Sequence, residues 1–598
     1  MMLQEPPVRH AFTPHTLRQY ALLADGERGA LVGPRGDVAF MCAPRWHDDA
    51  VFTALLGGDG RYGVTPRDPR FVWGGHYEED SLIWRSRWVT TDTVIECREA
   101  LAWPGDPDRV VLLRRVEACD GDAQVDVVLE LRAGFGARRM TVKRTADGIW
   151  EGRTGDLHYR WSGVPRHAGP DGDSIGFPLT VPEGERHDLV LEISREPLPD
   201  RPPVAEDAWR RTREGWLGGI PPFDGSAAPG DSRHSYAVLR GLTSETGAMV
   251  AAATTSLPER AEAGRNYDYR YAWIRDQCYA GLAAAVAGGV DLLDSAVRFV
   301  TDRILADGAQ IKPAYTVTGE PVPSESRLRL PGYPGAPVQT GNHVNQQFQL
   351  DVLGEALQLY AAADAAGRLD ETGWRAVEET VTAIEKRGGD PDAGIWELED
   401  RRWAHSRLAC VAGLRSIAAR RTGSTARSWE HLGDQLLRSV ESDCVHSSGR
   451  WHRAPDDERV DASLLLGGLR GAVPADDPRH VKTWQSVRAV LADDGYVYRF
   501  RQDPERSLHA AEGAFVLCGF HMALTTLQQG RVAEATRWFE RNRSALGPPG
   551  LFAEEFDVIQ RQLRGNLPQA FVHAMLLESA QRLGEAGVGT EGFGAAAR

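Results

Sequence analysis

Cysteine is scarce in the sequence, and the few cysteines show no pairing pattern. The 598 residues include seven cysteines, an odd number, and no two of them are spaced as Cys-x-x-Cys. A disulfide-stabilised scaffold and a structural zinc site both need paired or closely spaced cysteines. The sequence therefore argues against both classes. It fits a reducing compartment, so we expect a cytoplasmic protein.

The sequence also lacks an excess of positive charge and any long apolar run. The formal net charge is -15 at pH 7, whereas binding to a nucleic-acid backbone requires a basic surface. No stretch approaches the roughly 18 uninterrupted apolar residues of a membrane-spanning helix. The segment from Met1 to His10 has neither the basic start nor the apolar run of a signal peptide. We expect neither nucleic acid nor a membrane as a partner.

Motifs of cofactor and metal chemistry are missing as well. The sequence contains no Gly-x-x-x-x-Gly-Lys-Ser/Thr phosphate loop and no His-Glu-x-x-His zinc motif. No segment offers the set of oxygen ligands that a calcium site needs. We therefore predict a protein without a cofactor and without metal ligands. The oligomeric state stays open.

Hydrophobic periodicity divides the chain into two parts. Between about Leu17 and Glu196 apolar and polar residues alternate, which is typical of antiparallel strands packed as a sandwich. From Tyr236 to Leu583 apolar residues recur every three to four positions, which predicts about ten to twelve helices. A stretch rich in proline, glycine and serine separates the two parts. We predict a β-sandwich domain over 1–200, a linker with a short helix over 201–235 and an all-helical domain over 236–598.

Periodicity alone leaves open whether the helices stack in a row or close into a ring. Long segments between the helices hold most of the aromatic and charged residues that do not belong to a core. If these segments gather at one end of a closed ring, they form a pocket, and we favour the ring for this reason. The segments are Arg265 to Asp276, Gln310 to Asn345, Pro391 to His405, Tyr496 to Glu512 and Gly547 to Asn566.

Two of these segments place a glutamate beside aromatic residues. Glu397 directly follows Trp396, and Glu554 lies among phenylalanines. A carboxyl group against an apolar ring keeps its proton more readily, which suits a general acid. Taken alone, each is more often a helix-flanking or surface glutamate, but two such sites are what acetal hydrolysis needs. The adjacent Arg275 and Asp276 suit two neighbouring sugar hydroxyls, or alternatively a helix cap with a surface ion pair.

Many short motifs follow one another in the order found in one enzyme family. With them the chain resembles glycoside hydrolase family 15, the glucoamylases, glucodextranases and bacterial trehalases, over nearly its whole length. The motifs include Thr-Ser-Leu-Pro-Glu at 255–259, Asn-Tyr-Asp-Tyr-Arg-Tyr-Ala-Trp-Ile-Arg-Asp at 266–276, Leu-Pro-Gly-Tyr at 330–333, Gly-Ile-Trp-Glu at 394–397, Asp-Ala-Ser-Leu-Leu at 461–465, Glu-Gly-Ala-Phe at 512–515, Glu-Glu-Phe-Asp at 554–557 and Gly-Asn-Leu-Pro-Gln-Ala-Phe at 565–571.

The resemblance implies a fold and a set of site residues. The fold is an N-terminal antiparallel super-β-sandwich followed by a C-terminal (α/α)6 barrel, and the mechanism inverts the anomeric carbon. Glu397 matches the general acid and Glu554 the general base of the family. The remaining matched positions are expected to bind the substrate. They are Arg275 and Asp276, which match the pair that grips the innermost glucose, together with Trp273, Trp396 and Tyr333.

For function, the resemblance favours an exo-acting α-glucoside hydrolase that releases glucose from the non-reducing end of a short α-glucan or α-glucoside. The alternatives are a trehalase, which hydrolyses α,α-trehalose, a phosphorylase of the same build, and a non-catalytic carbohydrate-binding relative. The presence of Glu554 argues against the phosphorylase. The chain departs from the family pattern at Glu399, where an arginine is usual, and in a shortened loop up to His405, so we expect altered outer subsites.

Overall fold

The N-terminal part of the chain consists of antiparallel strands. The computed structural model describes residues 13–260, 265–333, 335–502, 507–510 and 512–589. The predicted domains begin at residue 1 and end at residue 598, and both of these limits lie outside the described residues. The strands are β1 Ala21–Ala24, β2 Gly29–Val32, β3 Asp37–Cys42, β4 Ala50–Phe52, β5 Arg61–Pro66, β6 Val72–Tyr77, β7 Trp84–Val89, β8 Val94–Leu101, β9 Arg109–Asp120, β10 Ala123–Glu130, β11 Arg132–Ala133, β12 Arg138–Arg139, β13 Lys143–Arg144, β14 Trp150–Thr154, β15 Leu157–Ser162, β16 Gly169–Asp171, β17 Ser174–Val181 and β18 Arg186–Ser194.

Most of these strands form two packed sheets of eight strands each, while β11 and β12 pair with each other. One sheet has the order β1-β2-β3-β5-β10-β17-β16 with β4 beside β3, and the other has the order β13-β14-β15-β18-β9-β8-β7-β6. On β10, Val125, Val127 and Leu129 are buried while Gln124 is exposed, so the alternation in the sequence marks the face that meets the second sheet. The predicted antiparallel sandwich is confirmed.

The rest of the chain is mainly helical. The strands end at Ser194, and the predicted domain limits at 200 and 235 stay predictions. The helices are α1 Ala205–Trp216, α2 Pro229–Leu242, α3 Ile274–Ala287, α4 Val290–Asp307, α5 Asp351–Ala365, α6 Glu371–Arg387, α7 Ala404–Ala418, α8 Gly423–Asp443, α9 Leu466–Leu469, α10 Pro478–Val490, α11 Val516–Gln528, α12 Val532–Arg543 and α13 Ala570–Glu585.

The helices close into a double ring. The inner helices α3, α5, α7, α9, α11 and α13 each pack against the next, and α13 packs back against α3. The inner helices α3 and α5 are buried on nearly all sides, whereas the outer helix α6 buries only one stripe, which includes Val377, Val381 and Ile384. The predicted (α/α)6 barrel is therefore confirmed. Among the described residues, no helix is both long and apolar enough to cross a membrane.

The connections that precede the inner helices are long, and those that follow them are short. Only Gly288 and Gly289 join α3 to α4, whereas the segment between α4 and α5 runs from Gly308 to Leu350. Because inner helices run in one direction, the long segments meet at one end of the ring, as the sequence predicted. They carry the short strands β19 Ala272–Trp273, β20 Ala314–Tyr315, β21 Ser326–Leu328, β22 Val338–Thr340, β23 Ala492–Asp493, β24 Tyr496–Val497, β25 Ala514–Phe515, β26 Glu555–Asp557 and β27 Gln562–Arg564.

The β-sandwich supports this end of the ring through one buried arginine. Arg270 forms a two-pronged ion pair with Asp268, and it donates a hydrogen bond of 2.6 Å to the carbonyl oxygen of Asp48 in the sandwich. Five residues further along the chain stands Arg275. The sandwich therefore helps to fix the segment that leads into α3.

Candidate active site

A cavity of about 170 Å³ lies where the long segments meet. The structure brings most of the predicted site residues to its wall, namely Trp273, Arg275, Asp276, Trp396, Glu397 and Glu554. Further residues of the wall had no role assigned from the sequence. They include Glu259, Arg265, Tyr267, Tyr269, His343, Leu398, Arg499, Phe515 and Phe571.

Tyr333 does not belong to this wall. Its side chain is buried, and its hydroxyl donates a hydrogen bond of 3.0 Å to the carbonyl oxygen of His15. The preceding Gly332 is bonded through its amide to the carbonyl oxygen of Leu56. The motif at 330–333 thus fastens the helical part to the N-terminal part. The structure therefore does not bring Tyr333 to the cavity wall with the other predicted site residues, and its contact with the substrate stays an untested prediction.

Glu397 is held in a fixed and unusual backbone conformation. Its φ angle is 53°, a left-handed value that a non-glycine residue rarely adopts. The indole Nε1 of Trp273 donates a hydrogen bond of 2.7 Å to Glu397 Oε1, and the guanidinium of Arg275 lies 3.5 Å from the same oxygen. Among the described residues, none makes such a contact with the second carboxylate oxygen. Glu397 can therefore present that oxygen to a ligand in the cavity.

The indole that contacts this carboxylate belongs to Trp273, not to the neighbouring Trp396. Trp396 lines the cavity, but its Nε1 donates a hydrogen bond of 2.9 Å to Asp461 Oδ1 on its buried side. Asp461 also accepts from the backbone of Ser463 at 2.8 Å and from Arg453 at 3.0 Å. Trp396 is thus a wall residue held from behind by a buried carboxylate.

Arg275 and Asp276 lie in the first turn of α3, deep in the cavity. Arg275 donates a hydrogen bond of 2.6 Å to Gln349 and lies 3.4 Å from Asp351. Asp276 Oδ1 is buried and has no hydrogen-bond partner in the part of the chain that the structure describes. Burial raises the pKa of Asp276 to about 7, although the charge of Arg275 opposes the shift. The pair offers a cationic donor and an unused acceptor, which is what sugar hydroxyls need.

Glu554 lies directly before β26, on a different inter-helix segment from Glu397. The hydroxyl of Tyr269 donates a hydrogen bond of 2.9 Å to Glu554 Oε1. Burial, and then the nearby carboxylate of Glu259, raise the pKa of Glu554 well above its usual range. The rings of Tyr269 and Trp273 meet edge to face with centroids 5.5 Å apart. An aromatic pair therefore links the two carboxylates, since Trp273 holds Glu397 and Tyr269 holds Glu554.

Behind Glu554 lies a buried group that we call the carboxylate cluster, Glu259, Glu512 and Glu555. Their oxygens come within 4.8 Å of one another, the only such group among the described residues that has the spacing for a metal ion. The guanidinium of Arg499 already lies among them, at 2.5 Å from Glu512, 3.4 Å from Glu259 and 3.6 Å from Glu555. Because the guanidinium of Arg499 already supplies a positive charge to the three carboxylates, we do not assign them as metal ligands.

Some of these residues could have been suspected from the sequence. Glu259 and Glu512 belong to motifs that carry the family resemblance, but a motif does not say which residues face a pocket. Arg499 lies outside the matched motifs, and only the fold brings it to Glu259. Glu399 is exposed, bonded to Arg401 at 2.8 Å, and is not part of the cavity wall.

A helical double ring with two glutamates on the wall of one cavity has the pair of carboxyl groups that hydrolysis of a glycosidic bond needs. Comparison with known families agrees. The sequence model of the glycosyl hydrolases family 15 matches residues 234–581, and that of the trehalase-like N-terminal domain matches residues 11–193. The chain belongs to glycosyl hydrolase family 15.

The chain is similar to several curated relatives along most of its length. It is 31% identical to a trehalase of Mycobacterium tuberculosis over 96% of this chain and 90% of the relative. It is 30% identical to a trehalase of Mycolicibacterium smegmatis over 96% and 92%. A solved bacterial glucoamylase complexed with acarbose superposes with a TM-score of 0.70 over 96% of this chain and 95% of the other, at 14% identity. At that identity the superposition speaks for the fold alone.

Proposed function

We propose that the protein hydrolyses α,α-trehalose to two molecules of glucose, with inversion at one anomeric carbon. The observation that carries this proposal is the similarity to the mycobacterial trehalases across both parts of the chain. The sequence alone favoured a short α-glucan and kept trehalose as an alternative. The relatives favour the alternative.

The site supplies a group for each step of this reaction. The buried Arg275 and Asp276 grip one glucose ring at the bottom of the cavity. Glu397 gives its proton to the glycosidic oxygen while the bond from that oxygen to the anomeric carbon breaks. Glu554 takes a proton from a water molecule, whose oxygen bonds to the anomeric carbon from the opposite face. One ring leaves as β-glucose, and the other keeps its α configuration.

A panel of glucosides tests the proposal. The purified protein is given α-1,1, α-1,4 and α-1,6 diglucosides, and the anomers of the first glucose released are followed by NMR before they interconvert. We expect kcat/KM to be highest for trehalose and the initial α- and β-glucose to be equimolar. Faster turnover of the α-1,4 substrate would contradict the trehalase proposal and favour a glucoamylase-like activity. Release of α-glucose alone would contradict inversion.

The pH dependence of hydrolysis tests how Glu554 is tuned. As the base, Glu554 must be ionised, so activity is lost as the pH falls through its raised pKa. Replacing Glu259 with glutamine removes a negative charge that raises the pKa of Glu554. We therefore expect the acidic limb of the pH profile of kcat/KM to move about one pH unit lower. The control is Glu79→Gln, which removes the same charge from an exposed position. An unchanged limb in Glu259→Gln would contradict the assignment of Glu554.

A further inference from the structure

Arg265 and Glu259 form an arginine–carboxylate contact on the cavity wall, apart from the adjacent residues Arg275 and Asp276. The Nε of Arg265 lies 3.1 Å from Glu259 Oε2, and another nitrogen of its guanidinium lies 3.7 Å from Glu512. Both Arg265 and Glu259 line the same cavity as the two proposed catalytic glutamates. Beyond the residues proposed to hold the first sugar ring, the cavity therefore has polar groups suited to a second ring.

The exposure of the side chains places Arg265 nearer the mouth of the cavity than Arg275, while Glu259, which holds Arg265 from behind, is itself only 2% exposed. Asp276 and Arg275 are only 3% and 5% exposed. The side chain of Glu397 is 21% exposed, that of Arg265 is 28% and that of His343 is 42%. A ring held by Arg275 and Asp276 has its glycosidic oxygen near Glu397. The ring on the far side of that oxygen then lies towards Arg265.

Arg265 has donors to spare for such a ring. Its two carboxylate partners hold the guanidinium in place, but among the described residues none accepts a hydrogen bond of good geometry from it. A guanidinium carries five N–H donors in a planar fork. Because the protein fixes the guanidinium before the substrate arrives, little side-chain freedom is lost on binding.

An aromatic surface borders the same part of the cavity. Tyr267 and His343 both line it, and their ring centroids are 6.5 Å apart. Tyr267 also stacks on Tyr269 at 6.3 Å with an angle of 10° between the rings. The flat face of a sugar ring packs against such surfaces while its hydroxyls reach polar neighbours.

We propose that Arg265, held by Glu259, binds hydroxyl groups of the leaving glucose and so selects substrates whose leaving group is itself a sugar. This proposal rests on the proposed function, because it assumes that one ring occupies the Arg275–Asp276 end. It assigns to Arg265 the role of a specificity-determining residue. The bond-breaking and water-activating steps remain those of Glu397 and Glu554.

The test compares two substrates that share the reacting ring. Trehalose has a second glucose as leaving group, whereas α-D-glucosyl fluoride loses only fluoride and has no second ring. In Arg265→Met we expect kcat/KM for trehalose to fall tenfold to hundredfold, roughly the effect of losing hydrogen bonds from a charged group. For glucosyl fluoride we expect a change of less than about threefold. Arg265→Lys should recover part of the loss, since it keeps the charge and donors.

Each other outcome overturns the proposal. Equal losses on both substrates would mean that Arg265 acts on Glu554 through the carboxylate cluster. Undiminished trehalose hydrolysis would mean that it does not bind the leaving ring. Arg327→Met, a change of an exposed arginine outside the cavity, serves as the control and should leave both rates unchanged. If the wild-type protein cleaves glucosyl fluoride but not trehalose, the proposed function fails instead.

Discussion

Replacing Glu397 with glutamine should lower kcat/KM for trehalose by about 100- to 10,000-fold, the range that general acid–base catalysis contributes. Glutamine has the same shape, and its carbonyl oxygen can still accept the hydrogen bond from Trp273 Nε1. Its amide cannot give a proton to the glycosidic oxygen. The substitution therefore removes the chemistry while it leaves the wall of the cavity in place. The measurement is steady-state hydrolysis of trehalose.

A substrate that needs no acid separates this effect from damage to the site. Fluoride leaves with little help from a proton donor, so Glu397→Gln should cleave α-D-glucosyl fluoride at nearly the wild-type rate. A matched control is Glu399→Gln, two residues further along the same loop. Glu399 is exposed and bonded to Arg401, so this variant should remain active on both substrates. If Glu397→Gln hydrolyses trehalose at the wild-type rate, Glu397 is not the acid.

Replacing Glu554 with alanine should abolish hydrolysis of both substrates, with a loss of about 100- to 10,000-fold or more. Without this carboxylate no group takes the proton from the attacking water, whatever the leaving group is. Binding should persist, because Arg275 and Asp276 remain at the bottom of the cavity. Isothermal titration with trehalose measures the binding, and the absence of turnover keeps the ligand intact.

The difference between Glu397→Gln and Glu554→Ala in their activity on the two substrates distinguishes the acid from the base. Loss on trehalose alone marks the acid, and loss on both substrates marks the base. Glu554→Gln provides the control of equal shape, since it keeps a side-chain oxygen for the hydroxyl of Tyr269 and fills the same space. It should be as inactive as the alanine variant. Wild-type turnover in either variant would remove Glu554 from the mechanism.

The secondary structure could be predicted from the sequence because it depends on neighbours along the chain. The alternation that predicted strands is seen at Val125, Val127 and Leu129, which are the buried face of β10, and the helical period is seen at Val377 and Val381, which lie on the buried face of α6. A period of two or of 3.6 states which side chains share a face, whatever lies opposite. The order of the two parts and the long segments before the inner helices follow from the same local information.

The contacts within the site could not be predicted in this way. Glu397 receives its hydrogen bond from Trp273, which is 124 positions away, and Glu554 receives one from Tyr269, which is 285 positions away. The sequence pointed to the adjacent Trp396 as the partner of the acid, because adjacency is all that a motif displays. It placed Tyr333 with the substrate for a similar reason.

The sequence by itself determined the two-part fold, and it favoured the closed helical ring and, through the family resemblance, Glu397 and Glu554 as the proposed acid and base. Only the tertiary structure decided what surrounds them. Closing the ring brings Glu259 and Arg499 close to the proposed base and Arg265 to Glu259, and among the described residues it leaves one buried oxygen of Asp276 without a hydrogen-bond partner. The reason is physical, since burial and electrostatic neighbours depend on distance in space, and that distance is set when α13 packs back against α3.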